Sequence, residues 1–126
     1  AVKAVNKKQN VYLKTTIPLL FPLQFQKACA PQIKKMIVEA EALNPIGIIA
    51  ALKGMQERDN NNETLSNLSC KKIYIAGTLD PILSIEVLKK EAKNNGADFI
   101  EIENAGHMSH WENTKMALKE IQKALS

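Results

Sequence analysis

The chain has 126 residues, of which 45% are hydrophobic and 24% are charged, and its formal net charge is +4. These proportions are typical of one globular domain and argue against extensive disorder. No apolar run approaches the ~20 residues that a membrane helix needs, and the polar start AVKAVNKKQN does not resemble a secretory leader. We therefore predict a cytoplasmic protein that has no membrane partner.

The positive charge comes from sixteen lysines and a single arginine, Arg58. The lysines are scattered along the chain, whereas a nucleic-acid surface clusters lysine and arginine, often beside aromatic residues. This pattern favours a solvated surface and no nucleic-acid partner. Cys29 and Cys70 lie outside any CxxC or Cys/His pattern, so we expect two reduced thiols, no metal site and no cofactor.

The first part of the chain predicts helices. Residues 11–25, VYLKTTIPLLFPLQF, are apolar but are interrupted by Pro18 and Pro22, which predicts short kinked helices that cover an apolar pocket or form ordinary core. Two amphipathic helices are predicted next, over 31–44 and 45–58. Their apolar residues at helical spacing are Ile33, Met36, Ile37, Ala40 and Leu43 in the first and Ile48, Ile49, Leu52 and Met55 in the second.

The chain changes character at the polar stretch RDNNNETLSNLS, which predicts a linker loop over residues 58–70. Beyond it the pattern predicts an α/β unit with parallel strands, in the order strand, helix, strand, helix. Its segments are KKIYIAG (71–77), SIEVLKKEAKNNG (84–96), DFIEIENAG (98–106) and NTKMALKEIQKAL (113–125). The inward residues expected in the two helices are Ile85, Leu88 and Ala92, with Gly96 as the stop, and then Ala117, Leu118, Ile121 and Leu125.

The parallel arrangement brings two polar residues to the same edge of the sheet. A helix of ~12 residues and a strand of ~5 residues have similar lengths, about 18 and 16 Å, so both strands end at one edge. Asp80 follows the first strand and His107 follows the second. Open α/β sheets bind their ligands at this carboxyl edge.

An aspartate and a histidine in contact form a familiar chemical pair. A carboxylate that accepts a hydrogen bond from one imidazole nitrogen fixes the tautomer and leaves the other nitrogen free to act as a general base. Each residue alone is weak evidence, because a lone aspartate after a strand is usually a turn residue and a lone histidine is usually structural or exposed. The joint pattern is much more specific.

The segments KKIYIAGTLDPI and FIEIENAGHMSHWE, with the final helix, resemble the carboxyl-terminal part of α/β-hydrolases. The resemblance implies that Asp80 is the catalytic acid and His107 the catalytic base, in the order that the family uses. It also implies a helical cap over residues 1–57 and a core over residues 71–126.

No G-x-S-x-G nucleophile elbow occurs in the sequence, which is the main departure from the family. The resemblance therefore implies a fragment of a longer serine hydrolase of small apolar esters, inactive alone. An aspartate nucleophile, as in dehalogenases or epoxide hydrolases, and a non-enzymatic binding or scaffold protein remain alternatives. We expect the isolated chain to self-associate or exchange segments through its unpaired strand.

Five neighbours of the two turns receive secondary predictions. Ile82 and Met108 could line a substrate pocket for a small molecule, or simply pack. His110, with Trp111, is expected to begin the last helix without a catalytic role. Glu112 is expected to satisfy backbone donors at that helix start, where its negative charge is favoured.

Overall fold

The computed structural model describes the backbone of residues 1–126 and every side chain except those of Ala4, Asn6 and Lys7. The first part is helical, as the sequence predicts. Its elements are α1 (Val2–Thr16), a 3-10 turn (Ile17–Leu20), α2 (Leu23–Gln26), α3 (Ala30–Glu41) and α4 (Pro45–Glu57). Helix α4 begins as expected, because the Asn44 side chain accepts a hydrogen bond from Ile46 N and Pro45 occupies the first turn.

The second part contains a two-stranded parallel sheet, which confirms the predicted α/β unit. Its elements are α5 (Asn62–Asn67), β1 (Ile73–Gly77), α6 (Ile85–Asn94), β2 (Asp98–Ile102), α7 (Ser109–Glu112) and α8 (Thr114–Leu125). The register places Ile73 opposite Asp98 and Gly77 opposite Ile102. Helix α6 ends where predicted, since Gly96 follows it with a φ of 61°. Among the described residues, no helix combines the length and apolarity required to cross a membrane.

The segment predicted as a linker loop contains helix α5, so a continuous loop over 58–70 is wrong. The helix has a carboxyl-terminal partner from outside the segment. Lys72 Nζ donates hydrogen bonds to the carbonyls of Leu65, Ser66 and Leu68, at 3.2, 3.3 and 3.2 Å. A cation at the end of a helix satisfies its free carbonyls and opposes its dipole. The polar composition alone carries no signal of this contact.

The main core cluster joins the helical segment to the segment that follows β2. Its buried residues are Leu13, Ile17, Phe21, Cys29 and Ile33, and the partly buried Met108 and Trp111 pack against them. Two residues predicted on the inner helix faces, Leu43 and Met55, are instead exposed. Leu43 lies beyond the last residue of α3, and Met55 lies in the final turn of α4, where the helix leaves the core.

Helix α8 presents a different face to the sheet than predicted. Ala117 is buried and Glu120 and Ala124 are half-buried, whereas Leu118 and Leu125 are 54% and 82% exposed. The face of α8 that carries Glu120 and Ala124 lies beside β2. The apolar stripe formed by Leu118, Ile121 and Leu125 is exposed instead. The periodicity identified a helix correctly but could not decide which of two adjacent faces meets the sheet.

We expect the 126-residue chain to self-associate through this uncovered surface. Within the described structure β1 pairs only with β2, so each strand has one unpaired edge, and α8 exposes an apolar stripe. Sedimentation velocity at micromolar concentration should show dimers or larger species, and Ile121→Glu with Leu125→Lys should shift them towards monomer. The matched control is Leu23→Lys, which changes an equally exposed leucine in α2 and should leave the distribution unchanged. A wild-type chain that sediments as a clean monomer would contradict the expectation.

Candidate active site

The loops after β1 and β2 are joined by backbone hydrogen bonds. Thr78 N donates to Ile102 O at 3.1 Å, and Leu79 N donates to Ala105 O at 2.8 Å. The side chain of Thr78 also accepts a hydrogen bond from Asn104 N at 3.1 Å. These bonds continue the strand pairing past the end of the sheet, so the two loops are held as one unit at its carboxyl edge.

Asp80 and His107 meet at this edge. His107 Nδ1 lies 2.9 Å from Asp80 Oδ2, although the residues are 27 positions apart in the sequence. The other carboxylate oxygen, Oδ1, accepts hydrogen bonds from Ile82 N at 2.8 Å and Leu83 N at 3.0 Å. Both oxygens are therefore engaged, and the carboxylate has a defined orientation towards the imidazole.

The exposure of the two groups differs in a way that suits a carboxylate-histidine pair. The side chain of Asp80 is 6% exposed, whereas that of His107 is 33% exposed. An ionised carboxylate can only accept hydrogen bonds, so it selects the tautomer that carries its proton on Nδ1. Nε2 has no hydrogen-bond partner among the described residues and is free to accept a proton.

The glycines of the two turns are required because other groups approach them closely. A Cβ atom on Gly77 would collide with the carbonyl oxygens of Ala105 and Gly106, and one on Gly106 would collide with the Pro22 ring. The left-handed residue of the second turn is Asn104, with a φ of 52°, and not Gly106. Glycine is required before His107 because a Cβ atom would not fit there, and not because the backbone has an unusual φ. The Pro22 contact places the helical segment directly on the histidine turn.

Glu112 lies beneath the same turn. Its Oε2 accepts a hydrogen bond from Gly106 N, and the backbone of Met108, the N-cap of α7, also stabilises the carboxylate. Glu112 therefore satisfies backbone donors at the start of α7, although this is not the start of the last helix. Burial raises the pKa of Glu112, the Gly106 hydrogen bond lowers it, and the charge of Asp80 raises it. The carboxyl group is thus a second acid near His107, and it is more buried than a surface glutamate.

His110 and Trp111 do not begin the last helix, which corrects the prediction. They belong to the separate short helix α7, and Asn113 then starts α8 with its side chain accepting from Met116 N. The break follows from Asn113, whose extended φ of −143° ends one helix and caps the next. Trp111 stacks on Phe21 with ring centroids 6.2 Å apart, while His110 is exposed.

The two predicted pocket residues differ in burial. Met108 is half-buried against the helical core cluster, and Ile82 is 51% exposed with its backbone N–H bound to Asp80. Met108 O accepts hydrogen bonds from Trp111 N and Glu112 N, at 2.8 and 3.1 Å. None of these contacts tests a pocket role, which stays a prediction for both residues. The sequence analysis did not predict that Phe21 and Pro22 lie near the site. The only indication of their position was that this aromatic, proline-interrupted segment belongs to the predicted cap.

Neither cysteine forms a disulfide bond. Cys29 is buried and Cys70 is exposed. Burial raises the pKa of the Cys29 thiol, and the charge of Glu112 raises it further. Over the residues whose side chains are described, no group of three or more His, Cys, Asp or Glu side chains could hold a metal ion.

Comparison with known proteins gives structural relatives only. No protein-family model and no curated protein matches the chain. An esterase from Thermogutta terrifontis, solved with malate bound, is similar with a TM-score of 0.85 and 24% identity, covering 98% of this chain and 46% of that one. An esterase from Exiguobacterium antarcticum gives a TM-score of 0.79 and 15% identity, covering 99% of this chain and 46% of its own.

A third similar structure is MGS-M2, an α/β-hydrolase enzyme from a Medee basin deep-sea metagenome library. It gives a TM-score of 0.70 and 18% identity, covering 98% of this chain and 50% of that one. The chain spans about half the length of each solved structure it matches. The chain therefore has an α/β-hydrolase fold, of which it spans about half, with an Asp80–His107 pair at the carboxyl edge of its sheet.

Proposed function

We propose that this chain supplies the acid and the base of a serine hydrolase catalytic triad, with Asp80 orienting His107. The observation that carries the proposal is the 2.9 Å contact between Asp80 Oδ2 and His107 Nδ1 at the ends of two adjacent parallel strands. The serine would come from a part of the complete protein that is not within these 126 residues, because the sequence contains no G-x-S-x-G elbow. The chain alone is then inactive.

The proposed reaction is the hydrolysis of an ester through an acyl-enzyme. His107 Nε2 takes the proton of the serine hydroxyl as its oxygen attacks the ester carbonyl, and then gives that proton to the departing alcohol. A water molecule attacks the acyl-serine in the same way, which releases the acid and restores the serine. Asp80 remains ionised throughout and stabilises the imidazolium that forms twice in each turnover.

Small, fairly apolar esters are the proposed substrates. Two of the similar structures are esterases, which supports an ester-type bond. The helical segment over residues 1–57 contacts the histidine turn through Pro22, which supports its proposed role as a cap over the site. Ile82 and Met108, beside the two loops, are proposed to contribute apolar contacts to the substrate.

The experiment is covalent labelling of the complete product of the gene with a fluorophosphonate probe. We expect rapid labelling, strong loss of labelling in His107→Ala, and unchanged labelling in His110→Ala. His110 is the matched control because it is an exposed histidine three positions away whose side chain forms no described hydrogen bond to Asp80 or Gly106.

Two results would replace the proposal. A folded protein that does not label but hydrolyses an epoxide or a carbon–halogen bond would indicate an aspartate nucleophile. A folded protein that does neither would indicate a non-enzymatic binding or scaffold protein. Circular dichroism of every variant confirms that lost labelling is not lost folding.

A further inference from the structure

Glu112 contacts the backbone that carries His107. Its Oε2 accepts the hydrogen bond of Gly106 N, and Gly106 immediately precedes His107. No hydrogen bond joins Glu112 to the imidazole among the described contacts, so its influence on His107 passes through the backbone. Glu112 is itself fixed, because it closes helix α7, whose Trp111 stacks on Phe21.

The surroundings of Glu112 are unusual for a carboxylate. Oε1 is buried and has no hydrogen-bond partner among the described residues. Moving a carboxyl group out of water costs free energy, and the backbone hydrogen bonds of Gly106 and Met108, which lower the pKa of Glu112, offset part of that cost. Pro22 and Glu112 Oε2 both lie close to Gly106, so a proline ring and a carboxylate oxygen together restrict the position of the turn.

We propose that Glu112 is a positioning residue for His107: by holding Gly106 N against the Pro22 contact, it fixes the direction in which the imidazole is presented to Asp80. The catalytic part of this inference rests on the proposed function, whereas the positional part does not. The two acids then have different roles. Asp80 orients the imidazole ring of His107, and Glu112 fixes the backbone of the preceding residue, Gly106.

Three titratable side chains interact electrostatically with Glu112. Asp80 lies on the loop after β1, His107 on the turn after β2, and Cys29 at the start of α3. Burial raises the pKa of Glu112, and the charge of His107 lowers it. A hydrogen bond from Gly106 is stronger to the ionised carboxylate than to the neutral acid, so the strength of the hold should follow the ionisation of Glu112.

The first test measures the turn in the 126-residue chain by NMR, without any need for activity. In the wild type, the Gly106 amide proton should shift with pH, with a midpoint above the ordinary glutamate value of 4.5. Glu112→Gln, which keeps a neutral acceptor, should abolish that titration while keeping the amide protected from exchange. Glu112→Met, which has a similar volume but no strong acceptor, should lower the protection of Gly106 about tenfold and weaken the low-field N–H signal of the His107–Asp80 bond.

The second test uses the complete protein, where a merely structural role would not give the same pattern. Glu112→Met should lower kcat about 10- to 100-fold with KM within about threefold, and Glu112→Gln should restore most of the loss. A Gly106 amide that neither titrates nor loses protection overturns the inference whatever the activity. If Glu112→Met does not fold, the Gly106 titration and its loss in Glu112→Gln decide the matter. A protein that shows these NMR effects but fails the fluorophosphonate test overturns the proposed function and leaves the positional inference intact.

Discussion

Replacing Phe21 with alanine is expected to lower the free energy of unfolding by about 3–5 kcal/mol, the range for large-to-small changes at buried aromatics. Phe21 is 1% exposed and is the largest fully buried side chain of the helical core. It also stacks on Trp111, with planes 4° apart, so the change removes an aromatic pair as well as apolar contacts. Total stabilities of single domains are about 5–15 kcal/mol, so this loss should unfold much of the chain at 37 °C.

The effect should reach the histidine turn, because Trp111 lies in α7 and Pro22 adjoins both Phe21 and Gly106. Urea denaturation followed by circular dichroism measures the stability. Tryptophan fluorescence follows the stack directly, since Trp111 is the only tryptophan. Leu23→Ala is the matched control, because Leu23 lies two residues away and is 84% exposed, so it should change stability by less than about 0.5 kcal/mol. Equal effects of the two substitutions would show that the helical segment and the histidine turn do not share a core.

The strand pairing and the edge shared by Asp80 and His107 could be predicted because the relevant signals are local. β-Branched residues mark both strands, Gly96 stops the helix between them, and a helix and a strand of similar length return the chain to one edge. The structure confirms the parallel pairing and places the two side chains within hydrogen-bond distance. The catalytic roles of these residues remain predictions.

The remaining contacts could not be predicted because they join distant segments. Pro22 meets Gly106 across most of the chain, and no local pattern indicates that a proline ring will occupy the space of a missing Cβ. The break between α7 and α8 depends on the backbone conformation of Asn113. Which face of α8 packs on the sheet depends on whether its alanines or its leucines are buried there. Amphipathic periodicity gives the direction of an apolar stripe but does not identify its partner.

If the complete protein has the proposed hydrolase activity, replacing Asp80 with asparagine is expected to lower its kcat about 10⁴-fold, while KM changes little. The asparagine oxygen can still accept the hydrogen bonds from Ile82 N and Leu83 N, so the loop should keep its shape. The atom that faces His107 then becomes an amide nitrogen, which donates where Asp80 Oδ2 accepted. His107 must present Nδ1 as an acceptor, which moves its proton to Nε2. An Nε2 that already carries a proton cannot receive one from the serine.

The tautomer change separates this prediction from a simple loss of folding. Nitrogen NMR of the imidazole should show the proton on Nδ1 in the wild type and on Nε2 in Asp80→Asn, with unfolding curves that differ little. Asp98→Asn is the matched control, since Asp98 is an exposed aspartate at the start of β2, at the opposite end of the sheet, and should leave both kcat and the tautomer unchanged. If Asp80→Asn retains full activity, the carboxylate does not orient the base, and the hydrogen bond between Asp80 and His107 is only structural.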